Sequence, residues 1–495
     1  MRTPHEPETP TPAGATAQLG GLLDVATSAA PVLAGSAPEQ RAGWLRAVAH
    51  RLEAGATNLV PLAQQETHLP EARLSSELVR TCFQLRLLAD EITLGSYLRA
   101  TIDHADPGWG MGPRPDLRRM MRPLGPVAVW AASNFPFAFS VAGGDTASAL
   151  AAGCPVVLVA HPGHPRLSAA TGELVGDALS GAGAPAGVFA MTEGVETGRA
   201  LIRDPRITAG AFTGSISGGR ALFDLAVSRP VPIPFYGELG SVNPAFVTRG
   251  ASERRPVDVA DGFVASMTLG AGQFCTKPGL LVVPRGSAVV DLVGERVAKV
   301  SGAPLLNERI RLGYAASLDS LARRDGVEVA AGRMPSADDP SDAPAPTLLR
   351  STAAALLADA RLGEEVFGPA ALVVEYDDEG ELLAVASGLA GQLTATVCGD
   401  PQDALVGTLL TTLAGRAGRV LLNDWPTGVS VTYAQQHGGP YPATTAVGTT
   451  SVGMAAIDRF VRPVAYQGVP EPLLPPALRD ANPWGVPQRI NGRLG

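Results

Sequence analysis

The feature that most constrains the fold of this chain is an alternation of short apolar segments and helical segments between residues 127 and 247. The apolar segments are predicted strands at residues 127–130, 155–160, 188–191 and 207–212. They are apolar throughout, which is typical of strands in a parallel sheet that helices cover on both faces. A doubly wound sheet of this kind binds its ligand at the carboxyl ends of the strands. Functional residues are therefore expected where these strands end.

A second alternation of strands and helices runs from about residue 258 to residue 432, with predicted strands at residues 280–283 and 370–374. Before both α/β regions, residues 22–98 carry apolar side chains at about every third or fourth position, which predicts helices. Glycines and prolines at residues 105–113 end that periodicity. The sequence thus predicts an α/β protein with two parallel-sheet regions and an extended arm.

Composition excludes several classes of protein. A net charge of -8 without a basic cluster argues against nucleic acid as a partner. The four cysteines form no CxxC pair, so neither a disulfide scaffold nor a zinc cluster is predicted, and a reducing compartment is favoured. Residues 1–21 lack the features of a signal peptide and are predicted to be a disordered lead-in. Because we expect no apolar run to reach membrane-spanning length, we predict a cytoplasmic protein with no membrane partner.

Cys275 is the candidate nucleophile of the chain. It follows Gly270 and Gly272 and precedes Pro278, so the segment suits neither a regular helix nor a central strand. A sharply bent backbone can leave the thiol open on one side. The alternative is a small apolar residue in a buried turn, because free cysteine is often buried.

Two further segments supply partners for a reactive thiol. Glu238 lies between glycines at the end of an apolar run, where a side chain can project from a strand end into a cleft. Asn134 lies just after one predicted strand and just before a helix. A thiol, a carboxylate and a carboxamide provide a nucleophile, a base for water and a donor to an oxyanion. Together they predict covalent chemistry on a carbonyl group.

A glycine-rich turn at residues 212–220 opens a helix directly after a predicted strand. Gly214, Ser215 and Gly219 would let the backbone approach a pyrophosphate at the helix N-terminus. The turn matches neither standard nucleotide fingerprint, and a plain strand-to-helix turn is the alternative. Its position just before the Glu238 segment favours a phosphate site.

Five motifs, in order, resemble those of the NAD(P)-dependent aldehyde dehydrogenase superfamily over nearly the whole chain from about residue 22. They are Ser133-Asn134-Phe135-Pro136, Phe212-Thr213-Gly214-Ser215 with Gly219, Glu238-Leu239-Gly240, Gly272-Gln273-Phe274-Cys275 and Glu365-Val366-Phe367-Gly368-Pro369. Residues 134–165, 238–244 and 437–444 further resemble the branch that oxidises 2-oxoglutarate semialdehyde. The resemblance implies an α/β fold with two doubly wound parallel-sheet domains and a small oligomerisation arm.

The resemblance also implies a function. An aldehyde, such as the acidic 2-oxoglutarate semialdehyde, would be oxidised through a thiohemiacetal and a thioester on Cys275. Asn134 and the Cys275 backbone N–H would hold the oxyanion, and Glu238 would activate water. Glu365 and Phe367 would position the nicotinamide ribose and ring, although Glu365 alone also fits a solvated loop acid. Two other functions remain open from the residues: a cofactor-binding protein with little turnover and a cysteine-dependent ester hydrolase.

The patterns and the resemblance together predict the domain organisation. The oligomerisation arm that the resemblance implies would join subunits into a homodimer or homotetramer. The predicted units are a dinucleotide-binding domain (22–104 and 124–237), an oligomerisation arm and tail (105–123 and 464–495), a catalytic domain (238–435) and a return segment that bridges the domains (436–463).

One position departs from the family pattern. The family usually has a lysine that contacts the adenine-side ribose, and this chain has Val159 there. Its loss removes a charge that could meet a 2'-phosphate, so either His161, His164 or Arg166 takes over or cofactor affinity is weak. We therefore predict NADP or NAD as the cofactor, with His161 among its contacts. His161 and His164 could also form a metal site, but no acid or cysteine is near them, so we predict no metal.

The far carboxylate of an acidic semialdehyde calls for a cation. Arg80 is the candidate, and Gln84 follows it by one helical turn on the same predicted face. A surface salt bridge is the alternative role for Arg80.

Overall fold

The computed structural model describes residues 13–335 and 343–494. Its helices are α1 (Ala13–Gly35), α2 (Pro38–Ala54), α3 (Ala56–Thr67), α4 (Glu71–Leu94), α5 (Gly144–Ala152), α6 (Pro165–Gly181), α7 (Val195–Arg203), α8 (Ile216–Val227), α9 (Arg249–Arg254), α10 (Pro256–Thr268), α11 (Ala288–Val297), α12 (Glu308–Ala322), α13 (Ala353–Ala358), α14 (Glu379–Gly388) and α15 (Ala404–Ala414). Its strands are β1 (Ala100–Asp103), β2 (Leu117–Pro123), β3 (Val127–Trp130), β4 (Val156–Ala160), β5 (Phe189–Glu193), β6 (Ala209–Thr213), β7 (Phe235–Glu238), β8 (Pro244–Val247), β9 (Leu280–Pro284), β10 (Glu328–Gly332), β11 (Thr347–Thr352), β12 (Ala370–Tyr376), β13 (Gln392–Cys398), β14 (Ala417–Leu422), β15 (Val461–Gln467), β16 (Gln488–Ile490) and β17 (Arg493–Leu494).

The first alternation forms a five-stranded sheet with the order β5-β4-β3-β6-β7, and every neighbouring pair is parallel. Thr213 at the end of β6 lies opposite Glu238 at the end of β7. The glycine turn and the candidate base therefore emerge side by side at the carboxyl edge, as the sequence predicts for a doubly wound sheet.

The second alternation forms a seven-stranded sheet with the order β10-β11-β12-β9-β8-β13-β14. Its strands are parallel except for β10, which pairs antiparallel with β11. Along β9, Leu280 and Val282 pack into one buried cluster while Leu281 and Val283 pack into another. Both faces are covered because successive side chains point to opposite sides of the strand.

A third, mixed sheet has the order β15-β2-β1-β16-β17. It combines the predicted arm with residues from the C-terminal tail. It also includes β1 and the start of β15, which the predicted boundaries leave in the dinucleotide-binding domain and the return segment. The difference arises because β1 has only four residues and follows helix α4 closely, so its pairing partners are not visible locally. That this sheet joins subunits stays a prediction.

The predicted disordered lead-in at residues 1–21 is wrong for its second part, because α1 begins at Ala13. Residues 1–12 lie outside the described residues. Leu19, Leu23 and Ala26 are buried at helical spacing in a cluster with Trp130 of β3. Burial of that apolar stripe against the first sheet stabilises the helix. The helix was not predicted because the residues before it are rich in proline and threonine.

The expectation that no apolar run is long enough to span a membrane also needs correction. Within the described residues, the stretch Ala17–Gly35 is 19 residues long and has a mean hydropathy of 1.2 in an 18-residue window, which by length and composition is enough for a membrane-spanning helix. One face of this stretch packs on the protein, as shown by the buried Leu23 and Leu33.

Candidate active site

Cys275 follows a tight reversal of the backbone after α10. Gly270, Ala271 and Gly272 have successive positive φ values of 59°, 54° and 66°, a conformation that favours glycine. A Cβ on Gly272 would lie 2.2 Å from the Gly368 carbonyl oxygen, so only glycine fits this close approach. Cys275 is half-buried, whereas the other three cysteines are buried. The reversal thus leaves one thiol of the four partly accessible.

Asn243, at the start of the segment leading into β8, fixes the Cys275 loop. Its Nδ2 donates to the carbonyl oxygens of Cys275 and Lys277 at 2.8 and 3.0 Å. Its backbone N–H donates to Gln392 Oε1 at 3.1 Å, and the residue is buried with a φ of 52°. Sequence reasoning missed this residue. The available signal was an asparagine directly before Pro244, since asparagine tolerates left-handed backbone better than most residues.

Asn134 reaches the same loop from the turn after β3. Its Nδ2 donates to the Gln273 carbonyl oxygen at 3.1 Å. Arg73 of α4 donates to the Asn134 carbonyl oxygen at 2.8 Å. The Arg73 guanidinium also lies 4.9 Å from the ring centre of Phe135 and 4.6 Å from that of Phe274, within cation-π range. The predicted amide is therefore hydrogen-bonded to the loop that carries the thiol.

Glu238 ends β7 and is buried. His437 Nε2 lies 2.7 Å from its Oε1, and Ser451 Oγ donates to its Oε2. The same His437 nitrogen lies 3.5 Å from Cys275 Sγ. Sequence reasoning singled out the stretch 437–444 but did not assign His437 to the site. The missed signal was a histidine before two glycines in a segment that resembles the family.

The pKa of the Cys275 thiol and that of the Glu238 carboxyl are shifted in opposite directions. Burial raises the pKa of Cys275 well above 9, and the charges of Glu238 and Glu365 raise it further. Burial also acts to raise the pKa of Glu238, but the charge and hydrogen bonds of His437, with those of Ser451 and Cys275, outweigh it and lower the pKa. The resting pair is therefore a protonated thiol beside an ionised carboxylate.

The spacing of Glu238, Cys275 and His437 resembles that of a metal site, because one possible ligand atom of each lies within 4.8 Å of the others. The 2.7 Å contact between His437 and Glu238 nevertheless has the length of a hydrogen bond. Two ligands on one tetrahedral zinc are separated by about 3.4 Å, given metal–ligand bonds of about 2.1 Å. The contacts fit proton exchange better than metal coordination, and the expected absence of a metal stays a prediction.

The glycine turn lies between β6 and α8. Ser215 caps α8 through its side chain, and the Gly214 N–H donates to the Glu238 carbonyl oxygen at 3.0 Å. A Cβ on Gly219 would lie 2.1 Å from Leu239 Cδ2, so the absence of a side chain lets the helix start approach the Glu238 segment. Gly214 and Ser215 are exposed. The helix start is therefore accessible to an anionic ligand next to the candidate base.

Glu365 lies in the loop before β12, and its carboxylate approaches the Glu238 segment at Gly240. A Cβ on Gly240 would lie 2.4 Å from Glu365 Oε2, so glycine makes room for this carboxylate. Burial raises the pKa of Glu365 to about 7, while the nearby Lys277 ammonium acts against that shift. Lys277 is buried, and its Nζ donates to the Val366 carbonyl oxygen at 2.9 Å. Phe367 follows as a half-buried ring.

Arg80 and Gln84 lie on the face of α4 that also carries Glu77. The Arg80 guanidinium packs 5.3 Å from the ring centre of Phe139, and its Nη2 donates to the Val429 carbonyl oxygen at 3.3 Å. Arg80 Nη1 and Gln84 Oε1 are buried and have no hydrogen-bond partner among the described residues. Burial lowers the pKa of Arg80, and the charges of Glu77, Cys275 and Glu238 oppose that shift. Arg80 is thus a half-buried cation that interacts with the thiol, unlike the surface salt bridge of the alternative interpretation.

Arg419 of β14 is a second cation that sequence reasoning missed. Its Nη2 donates to the Pro426 carbonyl oxygen at 2.6 Å, and its Nη1 donates to that of Gly428 at 3.1 Å. Its Nε is buried without a partner in the described part of the chain. Its charge acts on Cys275 to lower the thiol pKa. An arginine within a strand gives no local sign that it approaches the thiol.

Comparison with known proteins identifies the family. The aldehyde dehydrogenase family model matches residues 5–460. The chain belongs to this family. It is 42% identical to the alpha-ketoglutaric semialdehyde dehydrogenase of Acinetobacter baylyi and 44% identical to alpha-ketoglutaric semialdehyde dehydrogenase 2 of Azospirillum brasilense, each over 92% of this chain and 87% of the relative. It also resembles the NAD-bound crystal structure of 1-pyrroline-5-carboxylate dehydrogenase from Thermus, with a TM-score of 0.77, 20% identity and coverage of 91% of this chain and 85% of that one.

These comparisons confirm several predictions. The aldehyde dehydrogenase resemblance, including its semialdehyde branch, and the predicted α/β fold are confirmed. The chain is an aldehyde dehydrogenase, and NAD(P) dependence is consistent with its family. Neither the non-turnover protein nor the ester hydrolase is favoured.

The aldehyde dehydrogenase departs from its family pattern in an apolar pocket of the first sheet. Val159 is buried beside Trp130. His164 cannot replace the missing lysine, because it is buried and its ring nitrogens lie 3.0 Å from Ser168 Oγ and 3.1 Å from the Ala132 carbonyl oxygen. His161 accepts the Gly163 N–H at Nδ1, and burial lowers its pKa to about 3. A neutral imidazole can donate one hydrogen bond but brings no charge.

Proposed function

We propose that this enzyme oxidises 2-oxoglutarate semialdehyde, an acidic semialdehyde, to the carboxylate with NADP or NAD as hydride acceptor. The observation that carries the proposal is the half-buried Arg80, whose Nη1 is buried and has no partner among the described residues, as a donor to a distal substrate carboxylate would be. The names of the two bacterial relatives support the same substrate.

Cys275 attacks the aldehyde carbon as a thiolate and forms the thiohemiacetal. Asn134 Nδ2 donates one hydrogen to the Gln273 carbonyl oxygen. Because an amide nitrogen carries two hydrogens, the second can be donated to the developing oxyanion. The Cys275 backbone N–H is the other proposed donor. A donor of this type is worth roughly 3 kcal/mol in the transition state of other enzymes.

The dinucleotide, when bound, supplies the acceptor for the hydride that leaves the thiohemiacetal. The residues present fit such a ligand, since the glycine turn is exposed and Gly219 allows close approach to the Glu238 segment. Gly214, Ser215 and Gly219 would hold the pyrophosphate. Glu365 and Phe367 would orient the nicotinamide end, because the Glu365 carboxylate lies beside Gly240 and its charge acts on the Cys275 thiol.

Glu238 then takes a proton from water, which hydrolyses the thioester and frees the product. Its hydrogen bonds with His437 and Ser451 keep the carboxylate ionised, which is the form that can accept a proton.

The far end of the substrate would lie against α4. Arg80 would bind the distal carboxylate, and Gln84 would contact the neighbouring polar group. Arg419 adds a second positive charge near the thiol, which favours an anionic substrate over a neutral one.

The test measures reduced nicotinamide formation with 2-oxoglutarate semialdehyde, succinate semialdehyde and a neutral aldehyde of equal length, each with NAD and with NADP. We expect the highest kcat/KM for 2-oxoglutarate semialdehyde. Arg80→Ala should raise the KM for the acidic substrate roughly 10-fold to 100-fold, because it removes a charge-assisted contact worth about 1.5–3 kcal/mol. The KM for the neutral aldehyde should change little.

Arg86 provides the matched control for that test. It lies on the same helix, is exposed and pairs with Glu53 at 2.5 Å. Arg86→Ala should leave both KM values as in the wild type. An unchanged KM for the acidic substrate in Arg80→Ala would refute the assignment of Arg80, and equal use of all three aldehydes by the wild type would refute the substrate class.

We also propose that Arg166 replaces the missing lysine if NADP is the preferred cofactor. Arg166 is exposed in the first turn of α6, while His161 is neutral and would contribute only a hydrogen bond. Arg166→Ala should then raise the KM for NADP more than that for NAD. Equal effects on the two cofactors would exclude this role.

We further propose a cytoplasmic homodimer or homotetramer. The absence of a disulfide among the four cysteines, all of them within the described residues, supports a reducing compartment. Met111 and Trp109 are exposed on the predicted arm, where a second subunit could cover them. Light scattering after size-exclusion chromatography measures the assembly, and a purely monomeric protein would exclude it.

A further inference from the structure

One imidazole nitrogen of His437 contacts both reacting side chains. His437 Nε2 lies 2.7 Å from Glu238 Oε1 and 3.5 Å from Cys275 Sγ. Both distances are within hydrogen-bond range for their atom types. His437 and Glu238 are buried, so water does not compete strongly for these contacts. A single N–H can therefore serve either the carboxylate or the sulfur.

The hydrogen-bond partner of His437 Nε2 shows whether this nitrogen carries a proton. An ionised carboxylate can only accept a hydrogen bond, so Nε2 must carry a hydrogen when Glu238 is charged. His437 Nδ1 is buried and has no partner among the described residues. The surroundings position the residue instead: the His437 backbone N–H donates to Thr450 Oγ1 at 2.8 Å, and the imidazole ring centre lies 6.4 Å from that of Phe139.

We infer that His437 is a catalytic hydrogen-bond donor that alternates between Glu238 and Cys275 and thereby stabilises the thiolate. The inference rests on the proposed function. The S–H bond of Cys275 breaks and its proton forms an O–H bond on Glu238. The N–H of His437 then turns from the neutralised carboxyl to the sulfur, which now carries the negative charge. No proton is gained or lost by the three side chains in this step. Glu238 then passes the proton to solvent, which restores the carboxylate for its later attack on a water proton and makes the thiolate more abundant as the pH rises.

The surrounding charges show why the sulfur needs such a donor. Glu238 and Glu365 both disfavour the thiolate, whereas Arg419 favours it and Arg80 also interacts with the thiol. Transfer of the proton to Glu238 removes one of the two negative charges, and His437 supplies a hydrogen bond at the same moment. A side chain without an N–H could fill the same space but could not do this.

The test follows the rate of Cys275 alkylation by iodoacetamide as a function of pH in the full-length enzyme, with the modified cysteine mapped by mass spectrometry. His437→Phe keeps an aromatic ring but removes the donor. Its midpoint for alkylation should lie at least about one pH unit above that of the wild type. Since one pH unit is tenfold in thiolate, kcat/KM at neutral pH should fall about tenfold or more. His437→Gln retains an N–H donor and should lie between the two.

His50→Phe is the matched control, because His50 is exposed on α2. It should alkylate and turn over as the wild type does. A wild-type alkylation midpoint in His437→Phe would overturn the inference, even if kcat fell, since a packing role alone would leave the midpoint in place. Thermal unfolding checks that the variants fold, and if His437→Phe does not, His437→Gln is judged by the same shift.

Alkylation requires neither substrate nor cofactor. An unshifted midpoint would therefore refute the role of His437 and leave the proposed substrate untouched. Lack of turnover with any semialdehyde in the wild type would refute the proposed function whatever the alkylation result.

Discussion

The Cys275 loop and the glycine turn are the two backbone reversals at this site, and they are held in opposite ways. The Cys275 loop is tied by the side chains of Asn243 and Asn134 from distant segments, and its own buried Lys277 donates to the distant Val366 carbonyl oxygen. The glycine turn is held by its own Ser215 cap and one backbone bond to Glu238, and much of it is exposed.

This contrast separates chemistry from cofactor binding. Reacting groups lose rate when they shift by as little as 1 Å, so a preorganised thiol needs its supports in place before the substrate arrives. A phosphate-binding turn only needs free N–H groups and can adjust to the ligand. Changes in the first region should therefore act on kcat, and changes in the second on the KM for the dinucleotide.

The largest effect should come from Cys275→Ala, which removes the nucleophile itself. Dehydrogenase activity should fall on the order of 10⁴-fold or more, as for nucleophile removal in other covalent enzymes. Dinucleotide affinity, measured by fluorescence titration, should stay near the wild-type value. Cys398→Ala removes a buried cysteine of the second sheet and should retain catalysis. A Cys275→Ala enzyme with measurable turnover would break the assignment of the first region.

Asn243→Ala should have the next largest effect. It leaves the carbonyl oxygens of Cys275 and Lys277 without the amide that binds them. The free energy of unfolding should fall by about 2–4 kcal/mol, and kcat should fall up to roughly 100-fold because the thiol is displaced. Denaturant unfolding and steady-state kinetics measure the two quantities. A variant that loses affinity for the dinucleotide but keeps kcat would contradict the comparison.

A change of pH should alter the rate of the wild type by about tenfold per unit below the thiol pKa. The pKa of Cys275 is raised by burial and by nearby carboxylates, so the reactive thiolate becomes more abundant as the pH increases. The value of kcat/KM should therefore rise with pH through the neutral range and into the alkaline range. A kcat/KM that is flat between pH 6 and pH 9 would show that the thiol is already ionised.

The smallest expected effect is that of Gly219→Ala. The added methyl would meet Leu239 Cδ2 at 2.1 Å and push the start of α8 away from the Glu238 segment. The KM for the dinucleotide should rise several-fold to about tenfold, with little change in kcat. Gly176→Ala, on α6 with open space around the new methyl, is the control and should leave both constants unchanged. A fall in kcat alone would place Gly219 with the first region.

Sequence patterns located the strands that form continuous apolar runs, because such a run is a local signal. The strand at residues 127–130 coincides with β3, and the strand predicted at residues 155–160 matches β4 to within one residue. The glycine turn was placed correctly between β6 and α8. The third sheet was harder, since β1 and β16 are short and lie far apart in the chain.

Prediction of the site residues from the sequence is limited in the same way, by contacts between residues that are far apart in the chain. Motifs indicated Cys275, Glu238 and Asn134. In the structure His437 contacts both Cys275 and Glu238, and Asn134 donates to the Gln273 carbonyl oxygen two residues before Cys275, while the roles of the three residues stay predictions. His437 and Arg419 lie far along the chain, and nothing in their local sequence states which groups they approach. Such residues become visible only when tertiary contacts are known, because their role depends on one neighbour at a fixed distance.

Arg73 has a consequence that follows from its place between two aromatic rings. Phe135 directly follows the asparagine that would face the oxyanion, and Phe274 directly precedes the reactive cysteine. A single guanidinium on α4 thus sets the gap between two loops that belong to different halves of the molecule. If these two parts of the chain move relative to each other as dinucleotide enters and leaves, the contacts of Arg73 with both rings should keep the two loops at a constant separation.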